Sequence, residues 1–284
     1  MKARIIALDF GKYLVDIDGD IRSVHLPKTL RLKKKPIVGD VITLDKTHSL
    51  MLSIEDRKTY LARPRLANLD HLFIVNSLVE PPFSFNLLMM FMCFATYHHI
   101  QKTILITKLD KASLTPYQDA LDYLRSIGED VVFVNRNQEQ DRQKLMDRMQ
   151  GKVVAFAGQT GVGKSSLINL INPDFQRQIG SYSEALGRGR HETKEVKMVP
   201  FLTGYLVDTP GFSSLELPML KKELAQDFPG FSAYIGTCKF ANCLHLDEPG
   251  CTIKAEVKAG KIPVFVYETY QKLSETCLER KRYE

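Results

Sequence analysis

The segment Gly158-Gln159-Thr160-Gly161-Val162-Gly163-Lys164-Ser165-Ser166 has the spacing G-x4-G-K-S, and its residue types suit the holding of phosphate groups. Glycines let the backbone turn so that successive N–H groups point at phosphate oxygens, and the start of a following helix adds its dipole. Lys164 supplies a point charge to the β- and γ-phosphates, and the Ser165 hydroxyl is a magnesium ligand. The run Val153 to Ala157 before the loop predicts a strand, and Ser166 to Ile171 after it predicts a helix. Strand, loop and helix together give the loop its full context.

Further along, Tyr205-Leu206-Val207 runs into Asp208-Thr209-Pro210-Gly211. A carboxylate at the end of a buried strand is placed to hold magnesium, and Gly211 offers a backbone N–H to a γ-phosphate. Between these two motifs lies Leu186 to Lys194, rich in glycine and arginine, with Thr193 as a candidate to complete the magnesium shell. The residue after Asp-x-x-Gly is Phe212, which cannot orient a water as a glutamine would. His191 is the local candidate for that task, so the candidate catalytic set is His191, Lys164 and Thr193. Earlier in the chain, Thr107-Lys108-Leu109-Asp110 ends a predicted strand. The segment resembles the N/T-K-x-D guanine-reading motif of GTPases, in which case Asp110 would accept hydrogen bonds from the guanine N1 and exocyclic amine and the Lys108 stem would cover the base.

A separate cluster, Cys238-x4-Cys243-x-His245-x5-Cys251, gathers three thiols and an imidazole. Four such ligands fit a closed, tetrahedral structural zinc site, which would staple a segment too small to build its own core. Cys93 and Cys277 read as packing or surface residues.

The elements that must position these groups follow a change of period. The chain has 284 residues, 44% hydrophobic and 25% charged, with 39 Lys plus Arg against 33 Asp plus Glu for a net charge of +6. That is a globular balance with enough chain for a sizeable core, which excludes general disorder. No secretory leader or bilayer-length apolar run is visible, and five cysteines favour a metal site or free thiols over disulfides, so a cytoplasmic protein is expected. Residues 1–66 read as a small β-barrel: Arg4 to Leu8, Tyr13 to Ile17 and Val41 to Leu44 are strand-like, and Asp18-Gly19-Asp20 and Gly39-Asp40 are turns. An OB-like barrel and an SH3-like one fit nearly equally. Residues 67–228 alternate strands and helices as an α/β sheet does. The expected strands are 71–77, 103–107, 130–135 and 153–158. The expected helices are 86–99, 116–127 and 138–150, with Thr115 as N-cap of the second and Gly128 closing it. Residues 229–284 form a third module, with four of the cysteines and a charged terminal helix.

The order of motifs is unusual, because the guanine-reading segment precedes the phosphate loop. Taken cyclically from Val153, the elements become those of a P-loop GTPase domain, so a circular permutation accounts for the order. A barrel, a permuted GTPase domain and a Cys/His terminus resemble the RsgA (YloQ/YjeQ-type) family of ribosome small-subunit-dependent GTPases. The resemblance spans essentially the whole chain and is carried by Val38-Gly39-Asp40, TKLD, GQTGVGKSSLIN, GRGRHETK, DTPGF and the cysteine cluster. It departs at Thr107, where asparagine is commonest, weakening the expected support of the phosphate loop. It departs also at Glu192, which leaves Thr193 as the switch threonine, and near Val134-Asn135-Arg136, where the expected Ser-Ala is missing and no base contact is assigned.

The resemblance implies a monomeric GTP hydrolase stimulated by the 30S ribosomal subunit and acting late in that subunit's maturation. Magnesium would accompany GTP, zinc would sit on the cysteine cluster, and 16S rRNA would be bound through the barrel and zinc modules. Arg31, Lys33, Lys34 and Lys35 in the barrel, and Lys254, Lys258, Lys261, Lys272, Arg280, Lys281 and Arg282 at the other end, supply basic charge for such a partner. The rivals are an ATP-dependent P-loop enzyme in which TKLD is a coincidental strand end, a P-loop NTPase acting on another structured RNA, and an RNA-binding protein with a vestigial nucleotide site.

Overall fold

A computed structural model describes residues 1–9, 12–27, 34–135, 138–186, 196–209, 212 and 217–278. Arg31, Lys33, His191, Glu192, Thr193, Gly211 and the basic run 280–282 lie outside the described residues.

The first five strands are β1 (Lys2–Asp9), β2 (Lys12–Ile17), β3 (Asp20–His25), β4 (Val41–Leu44) and β5 (Met51–Ile54). They form an antiparallel sheet in the order β3-β2-β1-β4-β5, and a parallel bridge between His25 and Leu50 closes its ends. That parallel closure decides for the OB-like barrel over the SH3-like one. Its core holds Ile5, Val15, Val24, Ile42, Leu44 and Met51. A bulge between Ile5 and Ala7 breaks the alternation of β1, so that Ile5, Ile6 and Ala7 are all fully buried.

The Val38-Gly39-Asp40 turn earns its residues. Gly39 has φ +92°, and a Cβ there would lie 2.0 Å from the Ala67 carbonyl oxygen, so only glycine fits. The fully buried Asp40 carboxylate accepts the Ile37 N–H at 2.9 Å and is clamped by Arg57, from Nε at 2.7 Å and Nη2 at 2.9 Å. A short hairpin, β6 (Tyr60–Leu61) and β7 (Leu66–Ala67), follows.

Next come β8 (His71–Ser77), α1 (Phe85–Tyr97), β9 (Gln101–Thr107), α2 (Gln118–Ser126), β10 (Val131–Phe133) and α3 (Glu139–Met149). They continue as β11 (Val153–Ala157), α4 (Lys164–Ile171), α5 (Phe175–Ala185), β12 (Lys197–Phe201), β13 (Gly204–Asp208) and α6 (Lys221–Asp227). Two helices end the described chain, α7 (Thr252–Lys258) and α8 (Val264–Thr276). The second sheet runs β10-β9-β8-β11-β13-β12. Strand β8 is buried along its whole length, as an interior strand must be. The ladders β9–β10 and β11–β13 are parallel, and β12–β13 is antiparallel.

Three expectations need correction. Thr115 is not a helix cap: it begins a 3-10 turn, Thr115–Tyr117, and its own N–H goes to Ser113 Oγ at 3.2 Å. Gly128, at φ +80°, does follow the end of α2 as expected. Helix α5 is an element beyond the permuted scheme. Its apolar face, Phe175, Ile179 and Tyr182, has helical spacing but is diluted by polar residues and Gly180. Helix α8 is less charged than expected and buries Val266, Tyr270 and Leu273. Cys93 and Cys277 are both buried, which makes them packing residues.

The chain divides into two compact units. The first comprises residues 1–73, 134–157 and 163–213. Within it, β1 packs against β12. The Tyr205 hydroxyl of β13 donates to the buried Asp16 carboxylate of β2 at 2.7 Å, and the Arg4 guanidinium sits 5.0 Å from the Tyr205 ring centroid. The second comprises residues 74–133, 158–162 and 214–284. Within it, α1 packs against α6 and α8, and Thr269 of α8 donates to the Asn86 side chain at 2.6 Å.

Candidate functional site

The phosphate loop is positioned by β11 and α4. Gly158 leaves the strand at φ +138°, and a Cβ there would stand 2.2 Å from the Val75 carbonyl oxygen, so any side chain would push the loop off β8. Gly163, at φ +104°, immediately precedes α4, whose first residues are Lys164 and Ser165. The loop residues Gln159, Thr160 and Gly161 are exposed, as are Ser165 and Ser166, while Val162 is buried and anchors the turn. Burial lowers the Lys164 ammonium from its ordinary value, which a bound polyanion would reverse.

The segment Thr107 to Asp110 is tied directly to this loop. Thr107 Oγ1 donates to the Val162 carbonyl at 2.8 Å and also lies 3.2 Å from the Asn76 carbonyl. Thr107 therefore supports the phosphate loop where the departure from asparagine predicted weakening. Lys108, held at φ +59°, donates its ammonium to the Glu80 carbonyl, and Asp110 is exposed at the end of the segment. Asn135, where no base contact is assigned, has its N–H on the Asp141 carboxylate at 2.9 Å.

Strands β11 and β13 are neighbours, with Ala155 opposite Val207, so the phosphate loop and Asp208 leave adjacent parallel strands at the same edge. Burial raises the half-buried Asp208 carboxyl, and Lys197 opposes that shift. A hydroxyl heading a helix and a carboxylate ending the neighbouring strand are the oxygen donors a magnesium ion takes beside phosphates, and both are present in Ser165 and Asp208. Phe212 is fully buried, so its ring orients no water. Lys197 was not anticipated from sequence: a lysine opening the strand Lys-Met-Val-Pro-Phe reads as a solvent-facing residue, yet it is 4% exposed.

The Cys/His cluster is assembled as expected. All four donor atoms lie within 4.8 Å of one another. His245 Nδ1 is 3.6 Å from Cys238 Sγ and 3.5 Å from Cys251 Sγ. A tetrahedral ion with bonds of about 2.3 Å to sulfur and about 2.0–2.1 Å to nitrogen separates such a pair by about 3.5 Å, so the donor set fits a metal of that kind. Two backbone N–H groups support the sulfurs, from His245 to Cys243 at 3.4 Å and from Thr252 to Cys238 at 3.3 Å. Burial lowers the His245 imidazole below its ordinary value and keeps it neutral, the form that ligates. Its ring also hydrogen-bonds the Ala225 backbone in α6, and the Tyr267 hydroxyl holds the His245 carbonyl at 2.8 Å.

The RsgA GTPase family model matches residues 54–218. A small ribosomal subunit biogenesis GTPase RsgA from a Geobacillus species is 37% identical over 99% of this chain and 98% of its own length. The protein of the same description from Staphylococcus carnosus is 37% identical over 98% of each. Among solved structures, YjeQ from Thermotoga maritima superposes with a TM-score of 0.82 at 28% identity, covering 98% of this chain and 99% of that one. YloQ, described as a circularly permuted GTPase, superposes with a TM-score of 0.77 at 30% identity, covering 97% and 94%. With the phosphate loop, its Thr107 brace and the permuted strand order in place, the chain is a GTP-hydrolysing enzyme and belongs to the RsgA GTPase family.

Proposed function

We propose that this GTPase acts in the biogenesis of the small ribosomal subunit, binds the 30S particle through its 16S rRNA, and hydrolyses GTP when that particle stimulates it. The observation that carries the proposal is the match along nearly the entire chain to relatives described as small ribosomal subunit biogenesis GTPases. In this reading residues 1–66 are an RNA-binding barrel, 67–228 the GTPase domain and 229–284 a zinc module, and the protein works as a cytoplasmic monomer. Among the described residues no helix is long and apolar enough to cross a membrane.

Gly158 to Ser166 cradle the phosphates, Thr107, Lys108 and Asp110 secure and read guanine, and Gly211 meets the γ-phosphate. Ser165, Thr193 and Asp208 hold magnesium, which when bound neutralises charge on the β- and γ-phosphates. Lys164 stabilises the transferring phosphoryl group, and His191 orients water in place of the glutamine that Phe212 replaces. Cys238, Cys243, His245 and Cys251 hold one structural zinc, the metal for which three thiolates and an imidazole are the usual donors.

Phosphate release from GTP and from ATP, with and without purified 30S subunits, tests the proposal. Slow GTP turnover raised strongly by the subunit, and lost in His191→Ala with nucleotide affinity kept, is the expected result. GTP turnover indifferent to the subunit would remove the ribosome and leave a GTPase acting on another structured RNA. Asp110→Asn should move preference from guanine to xanthine nucleotides, and an unchanged preference would take base reading away from Asp110.

A further inference from the structure

Lys197 has no part in the chemistry assigned above, and its surroundings call for one. It opens β12, is 4% exposed, and stands directly opposite Asp208 in the antiparallel β12–β13 ladder. Opposite partners on such a ladder project from the same face with Cβ atoms about 4.5–5.5 Å apart. A buried ammonium and the carboxylate that ends β13 therefore share one side of the sheet. The ammonium also donates to Ser183 Oγ in the last turn of α5, and it acts on the Asp208 charge.

We propose that Lys197 is a resident counter-cation for Asp208, offsetting the carboxylate's charge while the site is free of metal and sharing it with magnesium once nucleotide binds. The proposal rests on Asp208 as the magnesium carboxylate of the GTPase. A fixed positive charge on the same face of the ladder reduces what a second cation gains from the same carboxylate. Lys197 thus sets the magnesium concentration that nucleotide binding requires and keeps the Mg–GDP complex releasable. Ser183 steadies the ammonium but contributes no charge of its own.

The test uses the full chain, with fluorescent GDP binding titrated against magnesium and thermal unfolding followed without nucleotide or metal. Lys197→Met should lower the half-saturating magnesium concentration about tenfold, because the site becomes more negative. Lys197→Arg, which keeps the charge, and Ser183→Ala should each stay within about twofold of the parent, a difference too small to register a lost charge. Lys197→Met should also lower the unfolding temperature, and the same change in an Asp208→Asn background should lower it much less, since no carboxylate is then left unpaired.

A Lys197→Met protein whose magnesium dependence matches the parent, while Asp208→Asn raises the requirement, would overturn the proposal and leave Asp208 in its role. An Asp208→Asn protein with unaltered magnesium dependence would remove the underlying assignment, and the proposal with it. If Lys197→Met does not fold, recovery of folded protein in the double variant supports the charge pairing. Failure of both to fold would overturn it, making the lysine a packing residue.

Discussion

At the scale of single residues, Thr107 shows how a departure in sequence is absorbed by geometry. Its hydroxyl is one bond shorter in reach than an asparagine amide, yet it meets the Val162 carbonyl at 2.8 Å because β9 ends close against the loop. Thr107→Ala would strand that buried carbonyl, and guanine-nucleotide binding should weaken about tenfold, about 1.4 kcal/mol. Isothermal titration calorimetry reads it, and affinity within about twofold of the parent, well short of a lost hydrogen bond, would show that the brace does not serve the ligand. The phosphate loop, TKLD, Asp208 and the Cys/His cluster were legible as candidates because each motif needs its residue types at fixed spacing. Lys197 was not, because its burial comes from tertiary cover that strand periodicity does not encode. Nor was the tie from Asn135 to Asp141, which links a loop to a helix face through one carboxylate.

At the scale of elements, α6 lies in the chain between the Asp208 motif and the Cys/His cluster. It follows the Asp208 motif in the chain, and its Ala225 backbone takes a hydrogen bond from the His245 ring. The helix has only seven residues and its N-cap, Leu220, offers no polar side chain, so the Glu223 carboxylate on the Leu220 N–H at 2.9 Å, packing and this tie together hold it. With the proposed zinc bound, stripping it should therefore raise amide exchange in residues 221–227, measured by mass spectrometry. Exchange there that ignores metal removal would uncouple the helix from the cluster. The sign with pH follows from the thiols. Burial, with neighbouring thiols adding to it, pushes Cys243 up to about 12, so metal must displace protons and its retention should fall as pH is lowered. Element by element, the strands of the second sheet were legible from their apolar runs. Helix α5 was hidden because three buried residues among eleven give too thin a stripe.

At the scale of the whole molecule, the barrel is joined to the strand that ends in Asp208. Tyr205 donates to Asp16, whose other oxygen takes the Gly19 N–H at 2.7 Å. Tyr205→Phe leaves that carboxylate buried with one partner fewer and should cost about 1–3 kcal/mol in urea unfolding. No loss would mean that the barrel is held by β1 against β12 alone. Burial, and then Asp16, raise the Tyr205 phenol above its ordinary value. A group raised in the folded state gives its full stability below the unfolded value of about 10 and loses it as pH rises beyond. The parent should therefore soften in alkali more than Tyr205→Phe does.

The permuted order was visible in the motifs, but its cost to a growing chain is visible only in the packing. Helix α1 buries Leu88, Met89, Phe91, Met92 and Phe94, and part of the cover for that face is α6 and α8, which the ribosome makes much later. During synthesis an oily helix emerges well ahead of the segments that shelter it, the condition under which nascent chains aggregate or recruit chaperones. With the proposed role in ribosome assembly, the protein would thus be a demanding product of the machine it acts on.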